Sequence, residues 1–227
     1  MVTTHEKVNN QPAAHALLRA AHDNGYRFPA GFPGFTATIE VVESTAETTQ
    51  KIAGTVTVSG PRATTLTTEA SGDLATWAER EVASIAGHRW PTPYEEGDGR
   101  WTLTTEDDPE NALGQLIVVH DDPFTSRYRV RNGSITQVIR TMGPTSFTIS
   151  MQQHQPAAGG TTLPAAYTVS FWDASGRLTR TDSYSDTYTT VDGATLPAGR
   201  RVLTATDDGF VGRDLTLSDI KLLDTSE

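Results

Sequence analysis

The stretch Ser126-Arg127-Tyr128-Arg129-Val130-Arg131-Asn132-Gly133-Ser134-Ile135-Thr136-Gln137-Val138-Ile139-Arg140-Thr141 alternates polar and apolar residues about a central Asn-Gly. Period two is the signature of a half-buried strand, and Asn-Gly supplies the positive φ angles of a tight hairpin turn. A two-residue turn pairs Arg131 with Ser134, Arg129 with Thr136 and Arg127 with Val138. It then places Arg127, Arg129, Arg131 and Arg140 on one face, with Tyr128, Val130, Ile135 and Ile139 on the face to bury.

The same grammar extends in both directions. Asp98-Gly99, Ser175-Gly176, Asp192-Gly193 and Asp208-Gly209 read as further tight turns. Between such signals, strands are expected at Phe35–Glu43, Lys51–Ser59, Ala63–Thr68, Trp101–Thr105, Gln115–His120 and Ser126–Arg131. Others follow at Ser134–Thr141, Ser146–Gln152, Ala166–Trp172, Leu178–Tyr188, Arg200–Thr206 and Leu215–Leu222. The abundance of Thr, stiff at χ1 and favoured in strands, agrees. Gln155–Leu163 and the acidic Glu106–Glu110 read as surface loops.

Two stretches carry helical spacing instead. Gln11–Asn24 places Ala14, Leu17, Leu18 and Ala21 on one stripe, with Asn10 as cap, Pro12 in the first turn and Gly25 as terminator. Asp73–Ala86 places Leu74, Trp77, Ala78, Val82 and Ile85 on one face, with Ser71 or Asp73 as cap and Gly87 as a left-handed stop. No repeat or linker divides the 227 residues, so they form one domain, residues 1–227, with 1–9 a disordered tail. A sheet this long must curl. The expected fold is mainly β (α+β): a strongly curved antiparallel meander, or half-barrel, with the two helices (10–25 and 73–86) covering the concave face. That shape leaves a cavity between sheet and helices, a favourable place for a ligand.

Composition excludes several classes. Without Cys there is no disulfide framework, thiolate zinc site, iron–sulfur cluster or cysteine nucleophile. A net charge of −10 argues against nucleic acid as partner. No apolar run reaches transmembrane length, and Met1–Lys7 has no hydrophobic signal region, which predicts a cytoplasmic location. G-x-S-x-G, H-E-x-x-H, the P-loop and a strand-following G-x-G-x-x-G are all missing.

Several segments carry a resemblance. Phe171-Trp-Asp-Ala-Ser-Gly-Arg-Leu-Thr-Arg180, Leu196-Pro197 and Leu215-Thr-Leu-Ser-Asp-Ile220 resemble the ending of lipoprotein carriers with a LolA/LppX-like half-barrel. Asn24-Gly-Tyr-Arg27, Phe32-Pro-Gly-Phe35, Gly87-His-Arg89, Ser126-Arg-Tyr-Arg129 and Gln137-Val-Ile-Arg-Thr-Met-Gly143 are similar to a family of unknown function from bacteria and plastids. The resemblance implies a fold and names no chemistry. The chain departs from the carriers in having no export signal and no lipid-acceptor Cys.

Three groups of residues are candidates for function. On Leu178–Tyr188, one face carries Arg180, Asp182, Tyr184, Asp186 and Tyr188 against a face of hydroxyls. Pointed inward with Trp77, these would line a cavity suited to a semi-polar ligand, provided the buried charges are paired; the structural alternative is an edge strand. Arg127, Arg129, Arg131 and Arg140 form either an anion patch or a solvated convex face. His88, His120 and His154 lie on separate elements and can converge on a transition metal such as Cu, Zn, Fe or Ni; the alternatives are scattered surface histidines and, for His88, a helix cap. Tyr167, Val169 and Phe171 are expected to build plain core, which is also the alternative reading of Trp77. The reading favoured is non-catalytic binding of a small apolar, semi-polar or lipid-like molecule. Its alternative is a metal- or histidine-dependent enzyme of specialised metabolism using His88, His120 and His154.

Overall fold

In the computed structural model, residues 8–106 and 110–224 are described. Most of the expected tail and the centre of the acidic 106–110 segment lie outside them. Helix α1 spans Pro12–Asn24 and α2 spans Asp73–Gly87. The strands are β1 (Phe35–Ser44), β2 (Thr49–Gly60), β3 (Ala63–Thr67), β4 (Thr102–Thr105), β5 (Gln115–His120) and β6 (Arg127–Arg131). They continue with β7 (Ser134–Met142), β8 (Thr145–Pro156), β9 (Thr162–Trp172), β10 (Leu178–Val191), β11 (Ala194–Thr206) and β12 (Gly209–Leu222). All twelve expected strands are present. The later ones run longer than periodicity alone marks, because alternation fades where both faces are half wet.

The strands form one open, curved antiparallel sheet in the order β3-β2-β1-β12-β11-β10-β9-β8-β7-β6-β5-β4. The nine strands β4 to β12 are a meander, and the hairpin unit β1–β3 joins it through β1 pairing with β12. The two edges, β3 and β4, are therefore neighbours in sequence. The chain between them carries α2 from one edge of the sheet to the other.

Each helix covers one wing. Helix α2 and strands β1, β2, β11 and β12 enclose a core containing Phe35, Ile39, Val56, Val58, Leu74 and Val82. Helix α1 and strands β4 to β7 enclose a second core containing Leu18, Leu103, Ile117, Tyr128 and Val138. Twelve strands spaced about 4.8 Å apart span about 50 Å along the sheet, whereas two helices, each about 10 Å across, cover less than half of that. The middle strands are left bare on the concave side. This shortfall makes the cavity.

The helix ends differ in detail from expectation. The side chain of Asn10 does not cap α1. Its Oδ1 accepts hydrogen bonds from His15 Nε2 (2.8 Å) and from the Leu103 amide (2.9 Å), while Gln11 Oε1 accepts from the Thr105 amide (2.8 Å). Both residues satisfy donors of edge strand β4, which a cap would leave open. Gly25 is extended, at φ −77°. Helix α2 is capped by Gly72 rather than Ser71 or Asp73, and Gly87 remains helical with His88 as the C-cap. Gly87 is needed for space: a Cβ there would meet the Pro61 carbonyl oxygen at 2.8 Å. Asp98-Gly99 lies in a short 3-10 helix over Asp98–Arg100 and is not a hairpin.

Candidate functional site

Between the helices and the middle strands lies a partly open cavity of about 440 Å³. Leu18 and Ala21 of α1, Ile85 of α2, Ile149 of β8 and Val169 of β9 supply apolar wall. A buried ionic assembly closes one part of it. Arg200 of β11 is 5% exposed and Asp186 of β10 is 4% exposed. The guanidinium grips the carboxylate with both arms, Nε to Oδ1 and a terminal nitrogen to Oδ2, each at 2.7 Å. It also donates to Glu81 Oε2 of α2 at 2.7 Å and to the Tyr167 hydroxyl of β9 at 2.9 Å. One cation thus ties a helix to three adjacent strands. Burial alone would lower the arginine pKa, but the Asp186 hydrogen bond and the charges of Asp186 and Glu81 outweigh it and keep the group ionised.

Tyr167 and Tyr184 stack beside this assembly, centroids 4.6 Å apart and rings 6° from parallel. Burial raises both phenols above the usual range, so both are neutral near pH 7 and serve as hydrogen-bonding walls. Tyr128 is likewise pushed to about 12, by burial first and then by Asp98.

The inward face of β10 is the one its sequence marks, with Asp182 and Asp186 buried and Tyr184 and Tyr188 half-buried. Only Tyr184 of the expected set lines the cavity. Asp182 accepts from Thr204 (2.8 Å) and pairs with Arg180 (3.0 Å), which lies 4.0 Å over the Phe171 ring. The Tyr188 hydroxyl donates to the Pro164 carbonyl at 2.9 Å, and its ring packs on the α2 core together with Trp77. Tyr167 and Val169, expected as plain core, instead face the cavity.

The four arginines of the hairpin are separated. The pairing of β6 with β7 slips between Arg129 and Val130, so that Arg129 opposes Gln137 and Arg127 opposes Ile139. This bulge reverses the parity of β7 beyond Thr136. Val138 is buried and Arg140 turns into the cavity, donating to the Tyr128 hydroxyl at 3.1 Å. Arg127 lies 3.9 Å from Glu106, while Arg129 and Arg131 donate to the carbonyls of Gly114 and Ala112. These three brace the loop before β5, apart from Arg140.

The histidines do not converge either. His88 and His154 line the cavity, but His120 is on β5 with its Nε2 2.8 Å from Thr104 Oγ1. Among the described residues no group of three His, Asp or Glu side chains is placed to hold a metal ion. His88 keeps an accessible edge on the cavity. Burial, and then the charge of Arg89, lower its pKa below 6.5; burial and Arg89 lower that of His154 as well. A histidine with a depressed folded pKa contributes stability in full above its unfolded value near 6.5, and that contribution is lost as pH falls through the folded value. Urea midpoints should therefore fall between pH 7.5 and 5.5, and the double variant His88→Gln/His154→Gln should show a smaller drop. An equal drop in both proteins would show that other groups govern this window.

Arg200, Glu81, Arg89 and Arg27 were absent from the sequence-based set. Arg200 is hidden by a second bulge, between Thr187 and Tyr188. The plain register of the Asp192-Gly193 turn sets Asp186 opposite Gly199, and the slip brings Arg200 there instead.

The match to a family model covers residues 9–223, nearly the whole chain, and that family is described as a protein of unknown function (DUF3386). The chain belongs to the DUF3386 family. No curated protein matches this DUF3386 chain. Among solved structures it is similar to a LolA superfamily protein from Nitrosomonas europaea, with 14% identity and a TM-score of 0.41 over 93% of this chain and 94% of that one. It is also similar to a DUF1329 family protein from Desulfovibrio piger, with 9% identity and a TM-score of 0.33 over 97% and 96% of the two chains. Among the described residues of the DUF3386 chain, no helix is long and apolar enough to cross a membrane.

Proposed function

We propose that this protein is a non-catalytic binding protein that holds a small, lipid-like molecule in the cavity between α1, α2 and the middle strands. The observation carrying this reading is the cavity itself. At about 440 Å³ it lies within the roughly 300–1,000 Å³ range of small-molecule sites, and it combines apolar walls with a few fixed polar groups. The Arg200–Asp186–Glu81 assembly supports it by tying α2 to β10 and β11 at the edge of the cavity. The metal-dependent alternative loses its support with the separation of His120 from His88 and His154.

Ala78 looks from the sequence like the residue with which to fill the cavity, but it is fully buried in the α2 core. Ala21, 7% exposed and on the cavity wall, is the better position. Ala21→Phe should lower affinity for the neutral probe N-phenyl-1-naphthylamine at least tenfold. The melting temperature should change little, because the added ring enters a void. Native mass spectrometry of the purified wild type should also show a co-purified small molecule. Unchanged probe affinity in folded Ala21→Phe would count decisively against the cavity as the site.

A further inference from the structure

Five arginines on the sheet face a carboxylate: Arg127 faces Glu106, Arg180 faces Asp182, Arg200 faces Asp186 and Glu81, Arg201 faces Asp214, and Arg213 faces Glu43. Arg27, Arg89 and Arg140 line the cavity, and none of them forms an ion pair among the described residues. Two of the three also carry a buried Nε with no hydrogen-bond partner, Arg89 and Arg140, and no other described side chain has such an atom. Leaving part of a guanidinium buried and unsatisfied is costly, and native proteins seldom do so without a reason.

The three cations sit around one region. After burial, the larger cause, His88 is disfavoured as a cation by Arg89 and then by Arg200 and Arg140, and His154 by Arg89. Arg27 is depressed by burial and then by Arg89. The acids nearby are Glu81 and Asp186, both held by Arg200, Asp98 against the neutral Tyr128 hydroxyl, and Asp23, whose charge acts on Arg27. In a chain of net charge −10, Arg89 and Arg140 thus stand on the cavity wall, next to apolar side chains, with no carboxylate paired to either among the described residues.

Resting on the binding reading above, we infer that the ligand is an amphiphile with an anionic head, a carboxylate or a phosphate monoester. The head is received by Arg89 and Arg140, and the apolar tail lies along Leu18, Ile85, Ile149 and Val169. A guanidinium fork suits both head groups, and a charge-assisted bond in a partly dry cavity is about twice as strong as a neutral one.

The test compares three probes of equal chain length, dodecanoate, dodecyl phosphate and dodecanol, titrated against the full chain at pH 7.5 by calorimetry. At least one anion should bind about tenfold or more tightly than dodecanol, and the tighter of the two identifies the head group. Arg89→Gln and Arg140→Gln should each bring the anion towards parity with the alcohol while leaving alcohol affinity nearly unchanged. Both variants should melt within a few degrees of the wild type, since the hydrogen bonds lost to Tyr128 or Tyr188 are offset by removal of a buried Nε without a partner; a purely structural arginine would lose stability. Equal binding of all three probes by the wild type overturns the anionic head and leaves the cavity reading standing. Binding of none of them overturns both.

Discussion

Asp186→Leu is expected to lower the free energy of unfolding by about 3–5 kcal/mol, as breaking one side of a buried ion pair does. The wild-type carboxylate takes both arms of Arg200 at 2.7 Å, and both residues are at most 5% exposed. Without it the guanidinium keeps only Glu81 and the Tyr167 hydroxyl, and its desolvation is no longer offset. The double variant Asp186→Leu/Arg200→Met should regain most of the loss, because an apolar pair of similar volume carries no desolvation penalty. Urea unfolding of the two single variants and the double gives the coupling directly. A loss below about 1 kcal/mol in Asp186→Leu would mean that the pair is solvated, and that the site is less enclosed than described.

The second large effect is at the seam between the hairpin unit and the meander. Phe35→Ala should cost about 3–5 kcal/mol, the range for deleting a fully enclosed phenylalanine. Phe35 is 0% exposed and opposes Val58 on one side and Leu222 on the other. Its ring therefore belongs to both halves of the joint. The loss should appear in hydrogen exchange as reduced protection across β1 to β3, ahead of β8 to β10. If protection drops evenly along the sheet, the seam is no weaker than any other strand pair.

Much of this was legible in the residues. Turn dipeptides and alternation located twelve strands, and 3.6-residue spacing located both helices, because each signal is local. The inward face of β10 was legible for the same reason: Asp182, Tyr184, Asp186 and Tyr188 lie two apart on an unbroken strand. Arg140 and Arg200 were not, since each lies beyond a bulge, and one inserted residue moves every later side chain to the opposite face. Glu81 was missed because its carboxylate is satisfied by a residue over a hundred positions away, for which helical spacing carries no signal. The pairing of β1 with β12 is hidden in the same way. Consecutive-neighbour logic describes the ten hairpin-like steps and has no means of anticipating a contact between remote strands.

That remote contact bears on how the molecule is made. During synthesis β1 emerges before every strand of the meander and its partner β12 after the others, so one side of β1 stays unpaired while β2 to β11 are made. Exposed strand edges recruit other chains. The nascent polypeptide thus passes through a prolonged window in which chaperone capture competes with self-association. Expression yield should depend on chaperone supply more steeply than the stability of the finished protein would suggest.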